Sequence, residues 1–330
     1  TITDPYLIEA WDIDSSSARD TCAGIVLENT SAYVTIRNVR IHGPSACDGI
    51  QMSNVGNARI EGNVLTANGR GIAIVDSWSV IVLENMIGPS LEPIAASHSR
   101  SILIQDNIVR NGDQGIVVED SSRVSIVGNV VANSTANGVI LFRSFNNTID
   151  SNEVTNTAFR GIALFDSSHD IVARNVVSHA GEQCFYMSSG HGNILTGNLA
   201  EDCGWGGIEI LNGSGITASG NEVTRSAEAG IGLSGCSNSA LIANEVSNSR
   251  LGMEVASDSD FNIVVKNTIR SSLIAGIVLV GSPASSPDYN LIQGNTVLDS
   301  GEFDLDDLSN GNENIWRLNT YSTANVPTLP

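Results

Sequence analysis

Short stretches with a two-residue alternation of side chains recur along nearly the whole chain. Residues 161–165 (Gly-Ile-Ala-Leu-Phe) and 170–174 (Asp-Ile-Val-Ala-Arg) are two examples. A period of two is typical of β-strands, whereas the 3.6-residue period and the capping residues of helices are missing. The pattern therefore predicts many short strands and a helix content under about 10%.

Two landmarks repeat along the chain with one common period. A Gly-Ile-type pair recurs from Gly24-Ile25 to Gly276-Ile277. The other landmark is an Asn before an apolar residue, with intervals of 25, 22, 22, 22, six times 23, 28 and 24 residues; it occupies Asn38, Asn63, Asn85, Asn107, Asn129, Asn152, Asn175, Asn198, Asn221, Asn244, Asn267, Asn295 and Asn319. Such a fixed period is the signature of a repeat architecture.

Three strands of three to five residues with their turns fill one repeat, which is one coil of a parallel β-helix. Each strand would then pair with the strand one repeat later, about 4.8 Å away. We expect the repeated Asn at a bend between strands, in the left-handed backbone region, with its amide bonded to the Asn of the next coil. The sequence predicts an all-β, single-domain, three-faced solenoid of about 12–13 coils with 22–23 residues each.

The repeat weakens at both ends of the chain. Residues 1–20 lack it and are predicted to form a lead-in that caps the first coil, since an open end would expose core and unpaired strand edges. Residues 21–300 are predicted to form the regular coils, with a loop at 281–289. An acidic stretch follows Gly301, so 301–330 is predicted to form an irregular C-terminal cap.

The net charge of the chain limits the classes of molecule that it can bind. Asp and Glu total 36 against 16 Lys and Arg, a net charge of −20, and Lys266 is the single lysine. An acidic surface repels phosphate, so nucleic acid is excluded as a partner, and a polyanionic sugar would need bridging cations or local arginines. Ca²⁺ is therefore the one cofactor kept as a candidate. No apolar run reaches the roughly 18–20 residues of a membrane span.

Two of the five cysteines occupy the same position in successive coils. Cys22 and Cys47 each precede their Gly-Ile pair by two residues. Their Cα atoms should lie about 5 Å apart, which a disulfide can span if the protein is exported. Cys184 and Cys203 are out of register by four residues, so their pairing stays open. No Cys-x-x-Cys or His/Cys ligand spacing occurs, and no metal site is predicted.

The combined Asn and Gly-Ile repeat resembles the right-handed parallel β-helix superfamily that includes pectate lyases and polygalacturonases. The opening segment 4–14, Asp-Pro-Tyr-Leu-Ile-Glu-Ala-Trp-Asp-Ile-Asp, is similar to the entry segment of NosD-type repeat proteins. The resemblance implies a right-handed helix and an extracellular or cell-surface protein, periplasmic in a diderm bacterium, that meets polysaccharide. The resemblance does not extend to any complete catalytic motif. Gly190-His191-Gly192 matches one polygalacturonase element, but the upstream carboxylates of that family are missing.

Aromatic and ionisable residues concentrate between positions 142 and 191, which hold three of the five histidines and five of the seven phenylalanines. Aligned on the repeat, Phe142 and Phe165 share one outward column, and Tyr186 and Glu209 share another. Exposed rings beside carboxylates and arginines are typical of sugar sites, although stacked aromatics also simply stabilise a sheet. The candidate catalytic residues are Arg160, Glu182, Tyr186, His191 and Glu209. The candidate substrate-binding residues are Phe142, Arg143, Phe165, His179 and Trp205, and Glu254, two coils away in the column of Glu209, is expected to lie outside the site.

Three functions remain open from the sequence. The first is an exported carbohydrate-active protein that binds a polysaccharide on its outer strand face, with cleavage or epimerisation undecided. The second is a non-catalytic structural or adhesive surface protein, with end-to-end or lateral self-association, and the third is a NosD-like periplasmic metal-delivery factor. New reducing ends or unsaturated uronates would indicate an enzyme, whereas ordered polymers in electron micrographs would indicate a scaffold.

Overall fold

The chain is an all-β, right-handed parallel β-helix of about 13 turns built from three parallel sheets, as the repeat predicts. The computed structural model describes residues 1–17, 22–44, 46–66, 68–282, 284–309 and 313–327. Within these residues there is no α-helix; one 3₁₀ turn spans Ser15–Ser17.

The chain divides into two compact units, Thr1–Ala158 and Phe159–Pro330. That residues 1–330 behave as one domain stays a prediction. The three sheets are numbered by the order of their first strands along the chain, which are Tyr6–Glu9, Asp12–Asp14 and Ala23–Thr30. In both units, each turn of the helix runs from the third sheet to the first and then to the second.

The first unit contains six or seven strands in each sheet. Its first sheet consists of Tyr6–Glu9, Val34–Arg37, Ala58–Glu61, Trp78–Leu83, Arg100–Gln105, Ser122–Val127 and Thr148–Asp150. Its second sheet consists of Asp12–Asp14, Arg40–His42, Val64–Thr66, Met86–Ile87, Ile108–Arg110, Val130–Ala132 and Glu153–Thr157. Its third sheet consists of Ala23–Thr30, Asp48–Val55, Asn68–Val75, Ser90–Ser97, Ile116–Glu119 and Val139–Phe142.

The second unit repeats this arrangement. Its first sheet consists of Ile171–Ala173, Ile194–Thr196, Thr217–Ser219, Ala240–Ile242, Ile263–Val265, Leu291–Gln293 and Ile315–Arg317. Its second sheet consists of Val176–Ala180, Leu199–Cys203, Glu222–Ser226, Glu245–Ser247, Thr268–Arg270 and Thr296–Leu298. Its third sheet consists of Ile162–Phe165, Phe185–Ser188, Ile208–Leu211, Ala229–Ser234, Leu251–Ala256, Ala275–Val280, Phe303–Leu308 and Ala324–Asn325.

The ladder of paired strands extends into both predicted caps. Tyr6–Glu9 pairs in register with Val34–Arg37 at the N-terminal end. At the C-terminal end, Phe303–Leu308 pairs with Ala275–Val280 and Ile315–Arg317 pairs with Leu291–Gln293. Residues 18–20 of the predicted lead-in lie outside the described part of the chain. The cap boundaries themselves stay predictions.

The repeated asparagines form a buried ladder in each unit, but not for the backbone reason expected from the sequence. Along the second unit, each side-chain amide donates to the Asn one turn later, at 2.9–3.0 Å, from Asn175 to Asn319. The left-handed backbone belongs to the preceding residue, such as Ala243 before Asn244. The asparagine is therefore required for its side chain, which bonds backbone and neighbouring amide together.

Asn38 was wrongly included in this series. It has the left-handed backbone itself, with φ of 52°, and the residue in register with Asn63 is Val39. The backbone N–H of Val39 donates to the Oδ1 atom of Asn63 at 2.9 Å, so the ladder starts one turn later than the sequence suggested. A second ladder of Ser and Asn, between the third and first sheets, was not predicted from the sequence. In the first unit of the chain, this ladder links Ser77, Ser99, Ser121 and Ser144.

The structure contains two disulfides. Cys22 and Cys47, at equivalent positions of successive turns, are joined with a Cα–Cα distance of 4.6 Å. Cys184 and Cys203 are also joined, with a Cα–Cα distance of 5.5 Å. Their offset in the repeat does not prevent bonding, because both side chains are buried at the same corner between the second and third sheets. Cys236 is a buried free thiol whose pKa is raised by burial.

Candidate functional site

One outward column of the third sheet organises the site in the second unit. Its strands pair so that Tyr186 lies beside Glu209, Glu209 beside Gly232, and Gly232 beside Glu254. The predicted adjacency of Tyr186 and Glu209 is confirmed by this register. Because strands in a sheet are about 4.8 Å apart, the column brings together residues 23 positions apart in sequence.

Arg160 covers the tyrosine at one end of this column. Its guanidinium carbon lies 4.2 Å from the centroid of the Tyr186 ring and 5.7 Å from that of Phe165, and these two rings are 5.3 Å apart. An ion pair of 3.2 Å joins Arg160 to Glu182. Tyr186 is consequently only 9% exposed, although it lies in an outward column. The ring is a wall of the site, held by cation–π contact.

A chain of side-chain hydrogen bonds connects this cluster to Glu209. The Nε atom of Arg160 donates to the Oε1 atom of Gln183 at 3.0 Å, and the Nε2 atom of Gln183 donates to a carboxylate oxygen of Glu209. Gln183 is buried. Since Arg160 fixes the orientation of the Gln183 amide, a hydrogen-bond donor is directed at the Glu209 carboxylate.

The Gly232 pocket opens next to Glu209. Because Gly232 has no side chain, the column has a gap between Glu209 and Glu254, and the resulting cavity has a volume of about 170 Å³. Trp205, which is 55% exposed, stands at this pocket. The pocket is lined by Trp205, Gly206, Ile208, Glu209, Leu211, Glu228, Ala229, Gly232, Leu233, Ser234 and Glu254.

The carboxylates of the pocket differ in their surroundings. Glu228 forms an ion pair of 2.7 Å with Arg250. Within the described residues, no hydrogen bond or ion pair holds the Glu254 carboxylate. Partial burial raises the pKa of Glu254, and the negative charges of Glu209 and Glu228 raise it further, while Arg250 opposes them. Glu254 therefore keeps its proton to a higher pH than an ordinary glutamate.

This shift predicts how Glu254→Gln affects stability. A carboxyl group with a raised pKa in the folded state stabilises that state below its unfolded pKa and loses the contribution as the pH rises through the folded value. We expect Glu254→Gln to raise the free energy of unfolding by about 0.5 kcal/mol near neutral pH. The gain should vanish near pH 4. Chemical denaturation at both pH values measures it, and a loss of stability at neutral pH would contradict it.

Glu254 was wrongly expected to lie outside the site. It occupies the column of Glu209 two turns on, but the intervening Gly232 leaves both carboxylates on one pocket and electrostatically coupled. Glu228 and Gly232 were not singled out from the sequence. A glycine in an outward strand position between two glutamates was the available signal, although Glu228 lies in a turn before its strand and carries no such pattern.

Several predicted site residues lie elsewhere in the second unit. His179 is on the second sheet, where its Nε2 atom is 3.7 Å from a carboxylate oxygen of Asp202. His191 is in the turn between the third and first sheets; its Nδ1 atom is 2.9 Å from the hydroxyl of Ser168, and its ring meets His169 edge to face at 5.0 Å. Neither histidine lines the Gly232 pocket, so their grouping with Glu209 is not supported by these contacts.

Phe142 and Arg143 belong to the first unit. The guanidinium carbon of Arg143 lies 4.0 Å from the Phe142 ring centroid, and its Nη2 atom pairs with Glu119 at 2.6 Å and Asp120 at 2.8 Å. These pairs keep Asp120 ionised and lower its pKa. The role of Phe142 and Arg143 in substrate binding, and the shared column of Phe142 with Phe165, stay predictions.

No group of three or more His, Cys, Asp or Glu side chains in the described ranges is arranged to hold a metal ion. The Ca²⁺ candidate stays a prediction. No helix among the described residues is both long and apolar enough to cross a membrane.

A repeating coil with two buried ladders of polar side chains, one of Asn and one of Ser and Asn, and a candidate site on the outer strand face defines a parallel β-helix protein. The sequence model of the protein family called right-handed β-helix region matches residues 9–154 and 137–297, so the chain belongs to this family. No curated protein sequence matches this chain.

Solved structures with the same fold share little sequence with this chain. The A-module of Azotobacter vinelandii mannuronan C-5 epimerase AlgE6 is 12% identical with a TM-score of 0.65, covering 98% of this chain and 90% of its own. A mutant of the periplasmic alginate epimerase AlgG is 13% identical with a TM-score of 0.60, covering 95% and 84%. The Dettilon tailspike protein is 16% identical with a TM-score of 0.53, covering 80% and 60%. At these identities the likeness shows the fold alone.

Proposed function

We propose that this protein is an exported carbohydrate-active protein that binds a polysaccharide on the outer face of the third sheet of its second unit. The observation that carries the proposal is the Gly232 pocket, where the half-exposed indole of Trp205 stands beside carboxylates. An aromatic face and hydrogen-bonding carboxylates are what a pyranose ring requires from a site. The outer face of a parallel sheet also offers a long, regular surface for a polymer.

Two further observations support the proposal. Structures with this fold include proteins named as alginate and mannuronan epimerases, and a tailspike protein. Export is supported by the disulfides Cys22–Cys47 and Cys184–Cys203, because such bonds persist in oxidising compartments.

Altering the Gly232 pocket should weaken binding without unfolding the protein. A Cβ atom built at Gly232 meets nothing nearer than the Cβ atom of Ala229 at 3.8 Å, so Gly232→Leu is expected to fold. We expect Gly232→Leu and Trp205→Ala each to raise the dissociation constant for a bound polysaccharide at least about tenfold. Affinity electrophoresis over a panel of neutral, amino and acidic polysaccharides identifies the ligand, and calorimetry measures the constant.

Trp11→Ala is the matched control, because Trp11 is 60% exposed but lies in the first unit. It should leave binding unchanged. If all variants bind the polysaccharide equally well, the Gly232 pocket is not the binding site. If the wild-type protein binds none of the polysaccharides, the proposed function is wrong.

A structural or adhesive role is the second candidate, favoured by one surface. The outward column of the first sheet in the second unit carries no charge, although the chain has a net charge of −20. Four of its isoleucines are 40–41% exposed, and the column consists of Ile171, Ile194, Thr217, Ala240, Ile263, Leu291 and Ile315. Lateral association would cover it. Light scattering of the wild-type protein and an Ile194→Lys, Ile263→Lys variant tests this role.

A further inference from the structure

The placement of Glu209 and Glu254 suits a particular reaction. Their strands, Ile208–Leu211 and Leu251–Ala256, are separated by the strand Ala229–Ser234, so their Cα atoms are two strand spacings apart, about 9.6 Å. Both side chains line the Gly232 pocket, and glycine leaves the space between them open. Inversion at an anomeric carbon requires carboxyl groups about 6.5–9.5 Å apart, with room between them for a sugar and a water molecule. Two strand spacings between the Cα atoms are compatible with that requirement, whereas the roughly 4.8 Å between adjacent strands is not.

The two carboxyl groups have different partners, which divides the roles of acid and base between them. Glu209 accepts a hydrogen bond from the Gln183 amide, which holds the carboxyl group in place. Glu254 faces Glu209 and Glu228, Arg250 lies just before its strand, and the next strand places uncharged Val278 beside it. Burial and the neighbouring negative charges raise the pKa of Glu254, which suits a group that donates a proton.

Resting on the proposed function, we infer that the Gly232 pocket hydrolyses a glycosidic bond with inversion, with Glu254 as general acid and Glu209 as general base. Glu254 transfers its proton to the glycosidic oxygen as the bond from that oxygen to the anomeric carbon breaks. Water attacks the anomeric carbon from the opposite face, and its proton passes to Glu209. One water is consumed and two sugar ends form; solvent then reprotonates Glu254 and deprotonates Glu209.

The charges of the pocket also select the substrate. Glu209, Glu228 and Glu254 line it, whereas its lining includes no Lys or Arg, and Arg250 is already paired with Glu228. The carboxylate of a uronic acid would be repelled at this position. The substrate class is therefore a glycan with neutral or amino sugars at the cleaved bond.

The test uses the full chain with defined oligosaccharides. The neutral and amino probes are the hexamers of cellulose, xylan, mannan and chitosan, and the acidic probes are polymannuronate and polygalacturonate. We expect new reducing ends from at least one neutral or amino probe and none from the acidic ones. Proton NMR at early times should show the product anomer opposite to the substrate linkage.

Variants then assign the roles. Glu254→Gln and Glu209→Gln should each lower kcat at least about 100-fold while the dissociation constant changes less than about threefold. Glu245→Gln is the matched control, an exposed glutamate on the second sheet, and should keep full turnover. In the wild type, kcat/KM should fall at high pH as Glu254 loses its proton. Circular dichroism verifies that every variant is folded.

Each other outcome overturns a defined part. Retention of configuration, or full turnover by Glu254→Gln, overturns the acid–base pair. Cleavage confined to the polyuronates overturns the substrate class. Binding of a neutral or amino probe without turnover overturns hydrolysis and leaves the proposed function standing, whereas no binding of any probe overturns both.

Discussion

Replacing Asn221 by Ala is expected to lower the free energy of unfolding by about 4 kcal/mol. The side chain is 1% exposed and makes four hydrogen bonds. Its Oδ1 atom accepts from the backbone N–H and the amide of Asn198, and its Nδ2 atom donates to the carbonyl of Leu195 and to Asn244. Alanine would remove these four hydrogen bonds from a buried environment and would leave the backbone N–H of Asn198 without this acceptor, which costs the desolvation of that group.

The measurement is urea unfolding followed by far-UV circular dichroism. Glu222→Ala is the matched control, since Glu222 is the next residue and its side chain is exposed. The control should change the free energy by no more than about 0.5 kcal/mol. A loss for Asn221→Ala as small as that of the control would mean that water replaces the amide and that the ladder does not stabilise the fold.

Gly230→Ala is expected to destabilise the protein by about 3 kcal/mol, because the corner between the second and third sheets has no room for a methyl group. A Cβ atom at Gly230 would lie 2.2 Å from a methyl carbon of Val246 and 2.7 Å from the carbonyl oxygen of Gly252. The backbone oxygen cannot move aside without breaking the pairing of adjacent turns. The repeated Gly-Ile pair thus reflects a steric requirement in every turn where that glycine meets its neighbours so closely.

Gly232→Ala provides the comparison on the same strand, Ala229–Ser234. Its added methyl group would contact only Ala229, at 3.8 Å, so we expect stability to stay within about 0.5 kcal/mol of the wild type. Thermal unfolding of the two variants measures the difference. Equal stability of the two alanine variants would contradict the steric explanation.

The sequence predicted the adjacency of Tyr186 and Glu209 because the register of the strands follows from the repeat. The 23-residue interval that relates Tyr186 to Glu209 also relates successive inward residues, such as Phe185 and Ile208. A slip of one residue would expose the whole inward column, so the outward neighbours are determined with it. The roles given to His179 and His191 lacked this support: one lies on another sheet and the other in a turn.

By itself, the sequence determined the fold class, the register of the strands and the buried asparagines, because each depends on a pattern that repeats at every turn. Only the tertiary structure decided that Arg160 covers Tyr186, that Cys184 bonds with Cys203, and that Glu254 shares a pocket with Glu209. Trp205, Glu228 and Arg250, which shape that pocket, precede their strands and do not follow the two-residue alternation. Exposure and pKa depend on such side chains converging across turns, and the period carries no information about their directions.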